Sequence, residues 1–363
     1  MDRRISWQCS PTVVLAMVSF LSQQLTQALR SPQRLVPISL VVVALSTAAC
    51  GGGGRRLPSL NGAGASFPAP AYQRWSADYK TEKGFLVNYQ SVGSGAGVRS
   101  FLTGSVDFGA TDEQLSEENF KEGMAGKRGA VQIPMLGGTI SPAYNNPDCP
   151  DLKLTQAQLA DIFLGKITNW SALGCQARPI VVAHRSDGSG TTYGFTNSLS
   201  CFSEEWKTRV GRGKAVDWPV GIGGRGNEGV AGVIQNTPGS IGYVNQAFLR
   251  GVIKPAALQN KAGKFVIADS ESGAAALNQV SLDERLGGED CNPAGEASFP
   301  IVAFTWILAY QSGQGEEKAE AVRTFLSWAL EPGPQKLAAG LGFVPLKGDV
   351  LERARAEVAK IKN

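Results

Sequence analysis

Residues 180–199 read IVVAHRSDGSGTTYGFTNSL. The apolar run Ile180–His184 has the length of a buried strand and breaks off at Arg185-Ser186-Asp187-Gly188-Ser189-Gly190-Thr191. Thr191–Leu199 then reads as a helix. A strand feeding a helix through a glycine- and hydroxyl-rich turn is the βα unit of a parallel sheet. Free N–H groups and the positive dipole end collect where such a helix starts. Glycine lets the backbone close on a ligand, and Ser and Thr hydroxyls add donors. The ligand chemistry this suits is an anion.

The same arrangement occurs twice upstream. Gly62-Ala63-Gly64-Ala65-Ser66-Phe67-Pro68 opens a helix marked by Tyr72, Trp75 and Tyr79, with Gly84 as its C-cap. Gly93-Ser94-Gly95-Ala96-Gly97 joins a strand, Phe85–Ser91, to a short helix, Val98–Leu102. One such loop means little, because Ser and Thr are common N-caps and Gly is common turn punctuation. Three in one chain, one with an arginine, form a pattern for anion capture. No GxxxxGK[ST] string occurs, which excludes a Walker-type loop. Gly221-Ile222-Gly223-Gly224-Arg225-Gly226 opens no dinucleotide-binding unit and reads as a loop.

Elsewhere Val106–Thr111 and Ile241–Val244 read as strands, and Ala157–Leu164 and Glu228–Gln235 as helices. Ala319, Val322, Leu326 and Ala329 share one helical face that ends at Pro332, and Leu351, Ala354, Val358 and Ile361 mark a last amphipathic helix. This alternation predicts an α/β chain with mixed, mostly parallel sheets flanked by helices.

A chain of 363 residues suits two lobes with real cores, and 43% hydrophobic with 18% charged residues describes a globular protein. The net charge of +4 is no sign of nucleic-acid binding, since Arg3, Arg4, Arg30 and Arg34 against Asp2 supply most of it from the N-terminal leader. Arg34 precedes the apolar stretch Leu35–Leu45, too short to span a bilayer comfortably, and Ser46-Thr47-Ala48-Ala49 leads to Cys50 and Gly51–Gly54. This resembles a bacterial lipoprotein signal, with residues 1–49 removed, Cys50 lipidated and 50–56 a flexible tether. Thr47 stands where such signals carry an aliphatic residue, and the alternative is an ordinary signal cleaved near Ala49. Either way the chain is exported.

Of six cysteines, Cys9 leaves with the leader and Cys50 takes the lipid. Cys149, Cys175, Cys201 and Cys291 remain for an oxidising compartment and allow three pairings; the sequence-local one, Cys149–Cys175 with Cys201–Cys291, is the expectation. With no CxxC spacing and a single histidine, His184, no metal site is expected. Trp75, Trp170, Trp218, Trp306 and Trp328 read as core or lobe-surface residues.

The strings GAGASFPAP, NYQSVGSGAGV, VDFGATD, RSDGSGTTYGFT and GNEGVAGVIQNTPGSIGYV resemble the phosphate-binding proteins of bacterial high-affinity phosphate ABC transporters, in matching order from about Leu60 to Val344. The resemblance implies a two-lobed, type II periplasmic-binding-protein fold holding phosphate in the interlobe cleft. It implies a lobe of residues 57–136 plus 302–363 and another of 137–301. Carried over motif by motif, the ligands are Ser66, the Phe67 N–H, Ser94, Asp112, Arg185, Ser189, Gly190 and Thr191. Gly95 stands where some members have a second serine. It further implies a monomer without cofactor, lipid-anchored in the periplasm or at the cell surface, that delivers phosphate to the transporter's permease subunits.

Asp112 is the expected selectivity element. Phosphate near neutral pH still carries a proton that a carboxylate can accept, whereas sulfate offers only acceptors and leaves that carboxylate unpaired. The plainer alternative makes Asp112 an N-cap before Ser116-Glu117-Glu118. Asp187, two residues past Arg185, is its expected partner, orienting the guanidinium and blunting its charge. The competing functions are a receptor of the same fold for arsenate, sulfate or molybdate, and a phosphate-ester hydrolase. The hydrolase would need a nucleophile with a base or a metal cluster, neither of which is visible.

Overall fold

The first helix shows how local sequence places the site. In the computed structural model, which describes residues 58–363, it runs Ala69–Lys83, with Pro70 in its first turn, where a missing N–H is harmless. Its buried face carries Tyr72, Trp75 and Tyr79. Gly84, at φ 76°, ends it by returning its N–H to the Lys80 carbonyl. Trp75 is fully buried and donates from Nε1 to the Pro334 carbonyl at 2.9 Å. Burial of such a side chain stabilises by roughly 3 kcal/mol and holds the helix, and the loop before it, against the C-terminal layer. The expected leader, tether and lipidated Cys50 lie outside the described residues.

The strands are β1 Leu60–Gly64, β2 Val87–Ser91, β3 Phe108–Thr111, β4 Ala130–Asn145, β5 Lys153–Leu154, β6 Val181–Arg185, β7 Ile222–Gly224, β8 Ser240–Asn245, β9 Lys254–Pro255, β10 Ala257–Gln259, β11 Phe265–Val266 and β12 Val302–Tyr310. The main sheet has the order β2-β1-β3-β12-β4-β8-β6-β7, with β9 also on β4; β11, β10 and β5 form a small second sheet. β2, β1 and β3 are parallel, as are β8, β6 and β7. The middle strands differ from the mostly parallel expectation: β12 is antiparallel to β3 and β4, and β4 is antiparallel to β8.

β4 serves both ends of the sheet. Ala130–Thr139 pair with β12, and Ile140–Asn145 pair with β8. The strand changes partner between Thr139 and Ile140 without a loop. Pro134 cannot donate to a ladder, and the register with β12 shifts beside it, between Thr305 and Trp306. Farther on, residues 282–286 hydrogen-bond to Gln132, Trp306 and Arg353, while Glu289 bonds Tyr193, Asn197 and Arg212.

Both disulfides follow the expected pairing: Cys149–Cys175 with Cα atoms 5.4 Å apart, and Cys201–Cys291 at 6.1 Å. Each closes a loop worth about 3–5 kcal/mol in the chain-entropy picture. Trp75, Trp170 and Trp306 are core, and Trp218 stacks on His184 at 4.9 Å. No helix among the described residues is long and apolar enough to cross a membrane.

Candidate anion-binding site

Four helices begin around one buried cluster. The helix Ala69–Lys83 follows Ser66 and Phe67, and Ser94–Thr103 starts at Ser94 itself. Gly190–Phe202 starts after Ser189, whose hydroxyl caps it by accepting from Thr192 N–H at 2.9 Å. The fourth, Gly226–Asn236, follows β7, so the segment 221–226 that reads as a loop is a strand and turn feeding a helix. β7 has three residues with Ile222 exposed, which leaves no apolar run for a sequence reading to find.

These starts sit against each other. The Gly190 N–H donates to Ser94 Oγ at 3.0 Å, and the Gly95 N–H donates to the Gly188 carbonyl at 2.9 Å. Gly95 therefore has a packing role: a Cβ there would stand 3.2 Å from Gly188 Cα, so glycine lets two loops meet backbone to backbone. A Cβ on Gly190 would press to 2.7 Å from that of Asp112. Outside the cluster, Lys214 pairs with Glu113 at 2.8 Å and Ser91 donates to Glu228 at 2.9 Å.

Asp112 lies at the centre, 4% exposed. It does not cap the next helix; Ser116 does, accepting from Asn119 N–H. Its Oδ1 accepts from Thr305 Oγ1 at 2.8 Å. Its Oδ2 has only long contacts, from Ser94 Oγ at 3.4 Å and Thr191 Oγ1 at 3.5 Å, which are weak and readily exchanged. Burial pushes the carboxyl up to about 7, against the hydrogen bond from Thr305 and the charge of Arg185, both of which pull it down.

Arg185, also 4% exposed, is held by Asp187 through Nε–Oδ1 at 2.7 Å and Nη2–Oδ2 at 2.6 Å. The Gly226 N–H adds 3.0 Å to Oδ1. Burial alone would raise Asp187, but the Arg185 fork and this N–H outweigh it, and its carboxyl sits below the ordinary range. Arg185 Nη1 reaches Thr191 Oγ1 at 3.5 Å. Phe67 is fully buried, its ring edge-on to Phe343.

The structure thus gathers Ser66, Phe67, Ser94, Asp112, Arg185, Asp187, Ser189, Gly190 and Thr191 into one region. It adds two residues that sequence reading missed. Thr305 is the one aliphatic hydroxyl in the apolar strand VAFTWILAY, a polar interruption that could have marked it. Asn227 lies in the recognised GNEGVAG string but carried no assigned role. His184 is not in the cluster; its Nδ1 lies 3.0 Å from the Arg185 carbonyl. Among the described residues no group of His, Cys, Asp or Glu is placed to hold a metal ion.

A mixed sheet whose central strand serves two sub-sheets, with helix starts from both converging on one polar cluster, defines a type II solute-binding-protein fold. Residues 50–332 match a family model described as a PBP superfamily domain. Phosphate-binding protein PstS of Haemophilus influenzae is 41% identical over 82% of this chain and 92% of its own length. The PstS of Pasteurella multocida is 40% identical over 82% and 89%, and that of Methanocaldococcus jannaschii 36% over 90% and 95%. The chain belongs to the PstS family of phosphate-binding proteins. Among solved structures, a high-affinity periplasmic phosphate-binding protein, PfluDING, bound with phosphate, superposes with a TM-score of 0.69 at 21% identity, covering 82% of this chain and 93% of that one. A phosphate-binding protein from Stenotrophomonas maltophilia gives 0.62 at 20%, with the same coverage. At these identities the likeness speaks for the fold.

Proposed function

We propose that this chain captures a single phosphate ion, performs no chemistry on it, and delivers it to the permease of an ABC-type phosphate transporter. Ser66, the Phe67 N–H, Ser94, Arg185, Ser189, Gly190 and Thr191 supply donors and positive charge, and Asp112 accepts the ion's own proton. The cleft lies between a lobe of about residues 57–136 plus 302–363 and one of about 137–301, and binding favours the state in which both lobes reach the ion. The protein acts outside the inner membrane, as a monomer tethered through Cys50.

One observation carries this reading: a buried carboxylate with one strong partner stands among donors and beside a fixed guanidinium. A site of donors alone would suit any oxyanion, and the unsatisfied acceptor selects one that brings a proton. Titration calorimetry on protein stripped of endogenous ligand tests it: phosphate binds saturably and sulfate does not compete. Equal affinity for the two ions, or none for phosphate, would discard the proposal. A phosphatase assay on the same preparation is expected to stay at background.

A further inference from the structure

Asn227 is fully buried at the start of the helix Gly226–Asn236. Its Nδ2 donates to Ser66 Oγ at 2.9 Å and to Thr191 Oγ1 at 3.1 Å. Its backbone N–H donates to the same Ser66 Oγ, also at 2.9 Å. Its Oδ1 accepts from the Asn245 N–H at 2.9 Å. That last bond fixes the amide's orientation, because a backbone N–H can only donate; Nδ2 must therefore face the two hydroxyls.

A hydroxyl has one proton and two lone pairs. Ser66 Oγ receives two donors from Asn227, so both lone pairs are engaged and its proton is left to point elsewhere. Thr191 Oγ1 receives Nδ2 and lies 3.5 Å from Arg185 Nη1, so its proton likewise turns away, toward the Asp112 side of the site. We propose that Asn227 is a positioning residue that sets the proton direction of Ser66 and Thr191, turning two hydroxyls able to donate or accept into groups that only donate within the site. This rests on the phosphate reading above. It deepens that reading by leaving Asp112, the one carboxylate of the cluster not paired with Arg185, as the place for the ion's proton. Asn227 also ties the loop after β1 to the helix Gly190–Phe202.

The test is a double-mutant cycle by phosphate calorimetry, with Asn227→Asp and Asn227→Ala each made in wild type and in Ser66→Ala. The Asp variant keeps the shape but replaces a donor by an acceptor and a negative charge. It is expected to lower phosphate affinity by about 100-fold or more in wild type, and Asn227→Ala by about tenfold. In Ser66→Ala the factor lost to the Asp variant should shrink about tenfold and that lost to the Ala variant about threefold, because the hydroxyl being directed is gone. A role confined to packing or charge would cost the same factor in both backgrounds, and that outcome overturns the proposal. Should the Asp variant fail to fold, the Ala pair decides alone. Wild-type protein that binds no phosphate would instead remove the functional reading itself, an outcome the cycle keeps separate.

Discussion

Asp112 and Asp187 are two carboxylates within the influence of the same arginine, and they are driven in opposite directions. Asp187 follows β6 and meets two guanidinium bonds and a backbone N–H. Asp112 follows β3, has one good bond from a neutral hydroxyl, and is pushed up to about 7 by its burial. Both depth and partners separate them: the Asp187 side chain is 13% exposed and forked by Arg185, while Asp112 is deeper and has no such fork. One carboxylate is committed to orienting Arg185, and the other is left free to take a proton from outside.

The comparison breaks most completely if Arg185 is removed. Arg185→Ala deletes the cation and strands Asp187 beside an anion, a loss of about 4 kcal/mol by analogy with broken buried pairs, or about 10³-fold in phosphate affinity. Near-native affinity in calorimetry would contradict it. Next comes Asp112→Asn, expected to reduce discrimination between phosphate and sulfate by about 100-fold in competition titrations, since the penalty against a proton-free ion disappears. A variant that still excludes sulfate as wild type does would sink the selectivity role.

Stability against pH sharpens the contrast. Burial lifts the Asp112 carboxyl from an ordinary value of 3.8 to about 7, so the folded form holds its proton more tightly than the unfolded one. The contribution of Asp112 to the stability of the ligand-free protein is then greatest below about pH 4 and is lost as pH rises through about 7, by at most about 4 kcal/mol. Asp112→Asn should flatten that decline and exceed wild type at pH 8 in denaturant titrations. Asp187, lowered in the fold, acts the other way: its contribution is present above the ordinary carboxylate range and is lost as pH falls through its depressed value. The smallest effect is expected at the partly exposed Glu113–Lys214 pair, 34% exposed on the lysine side. Lys214→Ala should cost under about 1 kcal/mol and fade with added salt.

The three glycine-rich helix starts were legible because capping chemistry is local and survives in a string of letters. Asp112 was legible through its motif. β4 was not: Pro134, Gly137, Gly138 and Pro142 interrupt it, and burial along nearly its whole length erases the alternation that marks a half-exposed strand. Thr305 owes its place to a register shift opposite Pro134, and Asn227 to Ser66, a residue far away in the chain. Neither partnership exists until the sheet has formed.

The insertion of β12 between β3 and β4 has a consequence for how the chain comes into being. Ala130 waits for Tyr310, and Thr111 for Trp306. A nascent chain that has emerged only to β11 carries two facing strand edges with nothing between them, open to wrong partners. The strand that carries Thr305 closes that gap last. Completing the sheet and completing the hydrogen bonding of Asp112 are therefore one event, and a chain short of its final sixty-odd residues lacks both.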